Sequence, residues 1–400
     1  GYVALLAPEV RNSGVIVAQM GTVVMAAGER ITLNFDPSRH LSSISATPSA
    51  IDALIENKTA VIAPGGLIIL SARAINSLVG SVIKQSGTLS ASSNDTVLVK
   101  KGGRIMLSAS NVTLTSGSRT VARGQESGGS IDIVASKTAT VEAGAKVSVS
   151  ATGNGNAGTI SIHAEEKTTI NGSLLAQGGK VAGNGGTINT TSNGLIEIAP
   201  TAEINAGVRG ATGNPGTWNV TSAAVEINST NAGVISSALN KANVKIKSST
   251  VGCQATGTCN QTVLAGQVTV TVDAVIQKTT PKLTALKLEA EQSVMIRGQI
   301  QSTRLSPITL QIVSENAVEL AAASKVEAAE VIIQAPAIAS KGDVFAFLFG
   351  NGESLPLISF LAGRVAITGN LRAGSNGRAG KINIQGDEEV KIGSFANLIA

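Results

Sequence analysis

The residues that could do chemistry are few and poorly matched to one another. His163-Ala164-Glu165 carries the first half of a zinc-deaminase signature, in which a His ligand and a Glu acid/base stand two apart. The second half needs Pro-Cys-x-x-Cys, whereas the two cysteines, Cys253 and Cys259, have five residues between them. His40 is the one other imidazole, so a multi-histidine metal site cannot be assembled from this chain. Ser81-Val82-Ile83-Lys84 satisfies S-x-x-K, but no K-T-G partner follows it. GNGNAG, Gly153 to Gly158, satisfies G-x-G-x-x-G, yet a dinucleotide site needs a strand before that turn and a helix after it. Here TISIH, with the alternation of a strand, comes next, and turn glycines are the expected reading.

Carboxylates could serve glycan cleavage if several converged. Asp132, Glu142, Glu197, Glu203 and Glu226 are scattered, and the runs Glu165-Glu166 and Asp387-Glu388-Glu389 read as solvated faces. Cys253 and Cys259, joined by small and flexible residues, are a possible disulfide, a local staple suited to an oxidising compartment. Sequons at Asn57, Asn94, Asn111, Asn171, Asn189, Asn219, Asn228 and Asn260 are about as many as this Ser/Thr content produces by chance. No catalytic residue, cofactor or metal is expected, and the chain is expected not to be an enzyme.

One aromatic segment stands apart. Residues 340–363 hold Phe345, Phe347, Phe349 and Phe360, four of the six phenylalanines. Spacing of two puts the first three on one strand face, either as an inward aromatic ladder closed by Gly-Asn-Gly or as a segment outside the main fold that binds a partner.

The elements that would position any of these groups are short strands. Aromatic content is 2% and charged content 14%, with 44 glycines in 400 residues, which describes strands between tight turns. NSGVIVAQMGTVVMAAGERITL, residues 12–33, holds three such runs in close succession. A strand-opening Gly then recurs in GGRIML, GGSIDI, AGTISI, GGTINT and PGTWNV, at Gly103, Gly129, Gly158, Gly186 and Gly216, with steps of 26, 29, 28 and 30 residues. A period of that size marks a solenoid. Within one period Ile160 and Ile162 mark a first strand, Ile170 a second and Leu174 or Leu175 a third. Thr159, Ser161 and His163 then face outward. The expected fold is all-β, a right-handed parallel β-helix in which stacked coils bury ladders of small aliphatics. Beyond about residue 221 the glycine rhythm fades, but alternating strands continue.

Net charge is +5 with no basic run interleaved with aromatics, so nucleic-acid binding is not expected. No apolar run approaches the ~18 residues that span a bilayer, so the chain is expected not to cross a membrane. It begins at Gly1 and is expected to be a piece of a longer protein.

GYVALLAPEVRNSGVIVAQMGTVVMAAGERITLNF resembles the later part of the secretion domain of two-partner-secreted exoproteins, the filamentous haemagglutinin family. IDALIENKTAVIAPGGLIILSARA, SVIKQSGTLSAS and GGRIMLSASNVTLTSGS resemble the coils that follow. GNPGTWNVTSAAVEI and ALNKANVKIKSS are similar to a Gly-Thr-Trp coil and its next strand. The resemblance divides the chain into residues 1–135, the C-terminal part of such a secretion domain, and 136–400, a β-helical passenger shaft with a possible extra-helical segment at 340–363. It implies an adhesin or haemagglutinin passenger without enzyme activity. An outer-membrane β-barrel partner of a Gram-negative bacterium would export it, and it would act secreted or at the cell surface by binding a host or bacterial receptor or glycan. The family's Asn-Pro-Asn motifs would precede residue 1. Alternatives are the stalk of a contact-dependent toxin, a haem-carrier-binding exoprotein, or a β-helical polysaccharide-processing enzyme.

Overall fold

The computed structural model describes the chain except residues 36–40, 48–52, 75–79, 94–99, 250–264, 348–354, 376–377 and 395. It is a β-solenoid, almost wholly parallel, with one helix among the described residues. Contacts divide it into an N-terminal unit, Gly1–Ser192 with Ile196–Trp218, and a C-terminal unit, Asn193–Leu195 with Asn219–Ala400.

In the N-terminal unit each turn lays down three strands on three faces, as in Thr159–Ala164, Lys167–Ile170 and Ser173–Leu175. These three strands pair in parallel with their counterparts one turn before and after. Alternation decides which side chains enter. On the first face Ile105, Ile131, Ile160 and Ile188 stack in one inward row, and Leu107, Ile133, Ile162 and Thr190 in the next. Apart from Thr190 these are buried aliphatics, each worth about 2–3 kcal/mol of transfer. The hydroxyl of Thr190 has a local cause: it accepts a 3.0 Å hydrogen bond from Nε1 of the buried Trp218, which would otherwise lack a partner.

The recurring glycine has a steric cause. Thr22, Leu67, Arg104, Ser130, Thr159, Thr187 and Thr217 each donate their backbone N–H to the carbonyl of Gly1, Gly21, Gly66, Gly103, Gly129, Gly158 and Gly186 respectively, at 2.8–3.1 Å. A Cβ at Gly129 would stand 1.9 Å from the Gly103 oxygen, and one at Gly158 1.8 Å from that of Gly129. No side chain fits there.

The second face carries an exception to the apolar interior. Its last inward row runs Asn12, Asn57, Gln85, Leu114, Val141, Ile170. The buried amides of the first three are linked, Asn12 Nδ2 to Asn57 Oδ1 and Asn57 Nδ2 to Gln85 Oε1, both at 2.8 Å. From the next turn, at Leu114, the row is aliphatic.

The third apolar run of residues 12–33 departs from expectation. Val15–Val17 and Thr22–Ala27 are solenoid strands, but Arg30–Phe35 pairs antiparallel with Leu41–Thr47 as a hairpin outside the coil. Ile31 and Leu33 pack on Val24 and Ala26. The cause lies in the first face, where both inward and outward residues of Thr22–Ala27 are apolar and the outward set needs a cover.

In the C-terminal unit the same three faces recur, for example Thr284–Ala290, Ser293–Ile296 and Gln299–Gln301. The strand rhythm does not announce the helix Ser229–Leu239. Asn228 caps it: its side chain accepts from Thr230 N and Asn231 N, while Asn231 Oδ1 accepts from Asn228 N at 3.0 Å. The helix lies beside Val275–Gln277, whose Gln277 N–H donates to Ser236 Oγ at 2.9 Å, so it covers a sheet edge that would otherwise be open.

Candidate binding surface

The solenoid interior is filled by packed side chains, so the chemistry of the described residues lies on outer rows and corners. On the first face of the N-terminal unit, Thr159, Ser161 and His163 stand outward above Thr187, Asn189 and Thr191, at the ~4.8 Å spacing of paired strands. Asn189 Nδ2 lies 3.4 Å from Ser161 Oγ. Along the four turns before, the glycines Gly21, Gly66, Gly103 and Gly129 line an open groove of 720 Å³ together with Tyr2, Thr22, Leu67, Arg104 and Ser130.

The sequence motifs resolve into structural parts. His163 Nε2 lies 3.0 Å from Glu165 Oε1 on the outer surface. Among the described residues no three of His, Cys, Asp and Glu are grouped to hold a metal. Ser81 and Lys84 occupy one strand, Ser81–Gln85, with Ser81 buried and Lys84 exposed; three residues apart in a strand means opposite faces, so they cannot act together. GNGNAG is a corner followed by Thr159–Ala164. It belongs to a stack in which Gly-Asn-x-Gly repeats at 155–158, 183–186 and 213–216. Asn184 N donates to Asn156 Oδ1, and Asn214 N to Asn184 Oδ1, each at 2.8 Å.

The five scattered carboxylates meet separate partners. Asp132 pairs with Arg104 at 3.0 Å and Glu197 with Lys167 at 2.8 Å. Glu142 accepts from Ser116 N, Glu203 from Ser173 Oγ and Glu226 from Asn228 Nδ2. Glu388 and Glu389 pair with Arg364 and Lys391. The usual arrangement is therefore a cation and an anion one turn apart. Glu289 is the strongest case: burial works to raise its pKa, but Lys245 and Lys287 outweigh that and hold the carboxyl below its ordinary range.

Arg119, Arg123 and Arg209 depart from that arrangement together, and none was singled out from the sequence. Arg119 and Arg123 lie on one turn; among the described residues neither is paired with a carboxylate. Arg123 Nε is buried without a hydrogen-bond partner. Arg209 comes from a later turn and reaches back over the corners, donating from Nε to Gly178 O at 2.9 Å and from Nη2 to Ala151 O. Burial, with Arg119 nearby, lowers the pKa of Arg123; burial, with Arg123 nearby, lowers that of Arg209. The legible signal is register: Arg119 stacks between Thr88 and Lys146, with no carboxylate on either side.

The aromatic segment is split. Phe345 lies in Asp343–Ala346, where Val344 and Ala346 are the inward residues and Phe345 is half-buried on the outer side. The expected inward ladder is therefore absent at Phe345, because alternation gives the interior to its neighbours. Lys325 Nζ sits 5.9 Å from its ring centroid. Phe347 is half-buried just beyond, its N–H bonded to Ala328 O at 3.1 Å. Phe360 is fully buried in the strand Leu357–Ile367. Phe349 lies outside the described residues, as do His40, Cys253 and Cys259. Asn57 is a buried ladder residue and Asn228 a helix cap, so neither sequon is open in the folded chain.

Compared with family models and with curated proteins, the chain matches none.

Proposed function

We propose that this chain is the β-helical shaft of an adhesin passenger, exported through an outer-membrane β-barrel partner of a Gram-negative bacterium and acting outside the cell without enzyme activity. The observation that carries the reading is the outward register of Thr159, Ser161 and His163 over Thr187, Asn189 and Thr191. Short hydroxyl and amide groups repeat there at one strand spacing on an open face. Each can make a weak contact with a cell-surface receptor or glycan, and repetition along neighbouring turns turns weak contacts into avidity. The family resemblance of residues 1–135 and the solenoid support the same reading, and the half-buried Phe345 and Phe347 offer a second contact patch.

The test is attachment of beads coated with the chain to cells, with Ser161→Lys/Asn189→Lys and Phe345→Ser/Phe347→Ser variants. Deleting the whole Phe segment would be uninformative, since it removes the core residue Phe360. Attachment that falls several-fold with the first variant, while circular dichroism stays unchanged, supports the polar face. Wild-type beads that attach no better than uncoated beads would reject the adhesin reading.

A further inference from the structure

We propose that Arg123 and Arg209, assisted by Arg119, form an oxyanion site on the stacked corners of the N-terminal unit, suited to a phosphate or phosphate-monoester group. The inference is independent of the adhesin reading.

A buried or half-buried guanidinium needs an anion or several acceptors, since five N–H donors lose water on burial. Several cations elsewhere on the chain are met by a carboxylate: Arg104 has Asp132, Lys100 has Glu126, Lys167 has Glu197 and Lys341 has Glu319. Arg123 has no such partner among the described residues, and its Nε is enclosed without an acceptor. Arg209 is held in place rather than free. Its contacts with the carbonyls of Gly178 and Ala151 use two of its nitrogens, and fix a long side chain that feels the charge of Arg123. Two like charges are thus kept close by the backbone stack, with a third beside them. Such repulsion is relieved by an anion held between them. Ionised phosphate monoester carries about −1.5 to −2 charges at neutral pH, a closer match to this group than a singly charged carboxylate. Guanidinium donors also fit its oxygens in pairs.

The experiment is calorimetric titration of the whole chain, at constant ionic strength, with inorganic phosphate, with glycerol 1-phosphate and with acetate. Saturable binding of either phosphate, at least tenfold tighter than acetate, is expected. Phosphate alone would mark a free-ion site; glycerol 1-phosphate binding as well would mark a site for an esterified group. Arg123→Gln should weaken binding at least tenfold. Arg209→Gln should weaken it less, and Arg104→Gln, which removes a paired arginine on the same unit, should leave it unchanged. A second readout guards against misfolding: phosphate should raise the melting temperature of the wild type but not of Arg123→Gln. Equal binding by wild type and Arg123→Gln overturns the proposal. So does a wild type that binds neither phosphate.

Discussion

The two units use the same kind of strand ladder and solve its corners differently. In the N-terminal unit the passages from third face to first run through residues 122–129, 149–158, 176–186 and 206–216. They stack on one another and end on a glycine whose missing side chain admits the carbonyl of the turn before. In the C-terminal unit the passage shrinks to 302–307, or to Ala329 alone between Lys325–Ala328 and Glu330–Gln334. Proline or alanine stands where glycine stood, and Ala329 N still finds Ile308 O at 2.8 Å. Glycine stands wherever the entry backbone lies against the carbonyl of the turn before, after the four-residue corners that end at Gly21 and Gly66 as well as after the long ones that end at Gly129 and Gly158. The glycine rhythm therefore reports that close approach, while the solenoid itself depends on the inward aliphatic rows present in both units.

Six variants test this contrast, beginning with the largest effect. Gly129→Val should destabilise the N-terminal unit by about 3–5 kcal/mol in denaturant titration, because a Cβ there meets a backbone oxygen that cannot move alone. Ala329→Val, at the matching entry in the C-terminal unit, should cost no more than about 1 kcal/mol. Similar losses for the two would erase the distinction.

Asn57→Ala should cost about 2–3 kcal/mol, since it strands the buried amides of Asn12 and Gln85. The triple change Asn12→Leu/Asn57→Leu/Gln85→Leu should recover most of that, by extending the aliphatic row of Leu114, Val141 and Ile170 back through the first turns. A triple variant as unstable as the single one would mean the ladder's shape, not its polarity, is specified.

The C-terminal unit has its own departure from a plain ladder around the helix. Lys278 is buried there, its Nζ donating to Thr280 O at 2.9 Å and to Thr280 Oγ1, which in turn donates to Asn240 O at the helix end. Burial lowers its pKa from an ordinary 10.5 to about 8. Below pH 8 the folded and unfolded chains both carry the charge and the folded one bears the full penalty. Stability contributed by this group rises as pH climbs from about 8 towards 10.5, where only the unfolded chain is still protonated. Lys278→Met should thus stabilise the unit by about 1–3 kcal/mol at pH 7, and the gain should shrink above pH 8. A gain that is flat with pH would point to packing instead. The smallest effect should come from Asn228→Ala, about 1 kcal/mol for a lost cap, read as reduced helicity and an earlier melting transition confined to the C-terminal unit.

Much of the fold was legible because its unit is so short. Alternation at Ile160, Ile162, Ile170 and Leu174 names the inward residues of three strands, and the spacing of Gly103 to Gly216 names the turn. What misled was local ambiguity. GERITL looks like any other strand, and only the apolar outer side of Thr22–Ala27 sends it outward as a hairpin. Phe345 reads as core by hydrophobicity, yet parity with Val344 and Ala346 places it outside. The candidate anion site was illegible for a related reason: Arg119, Arg123 and Arg209 are unremarkable singly, and their isolation from carboxylates appears only once the turns are set in register.

Composition and period alone determined that this chain stacks thin coils of small side chains, because alternation and glycine spacing are local properties that every turn repeats. Which residues meet across turns was decided only by tertiary structure. Among the fully described passages corner lengths vary from one residue to eleven, and an insertion such as the hairpin or the helix shifts all later positions by an amount that no periodic count supplies. Function on a solenoid lies in those meetings between turns, so the surface chemistry came from the register and the scaffold from the sequence.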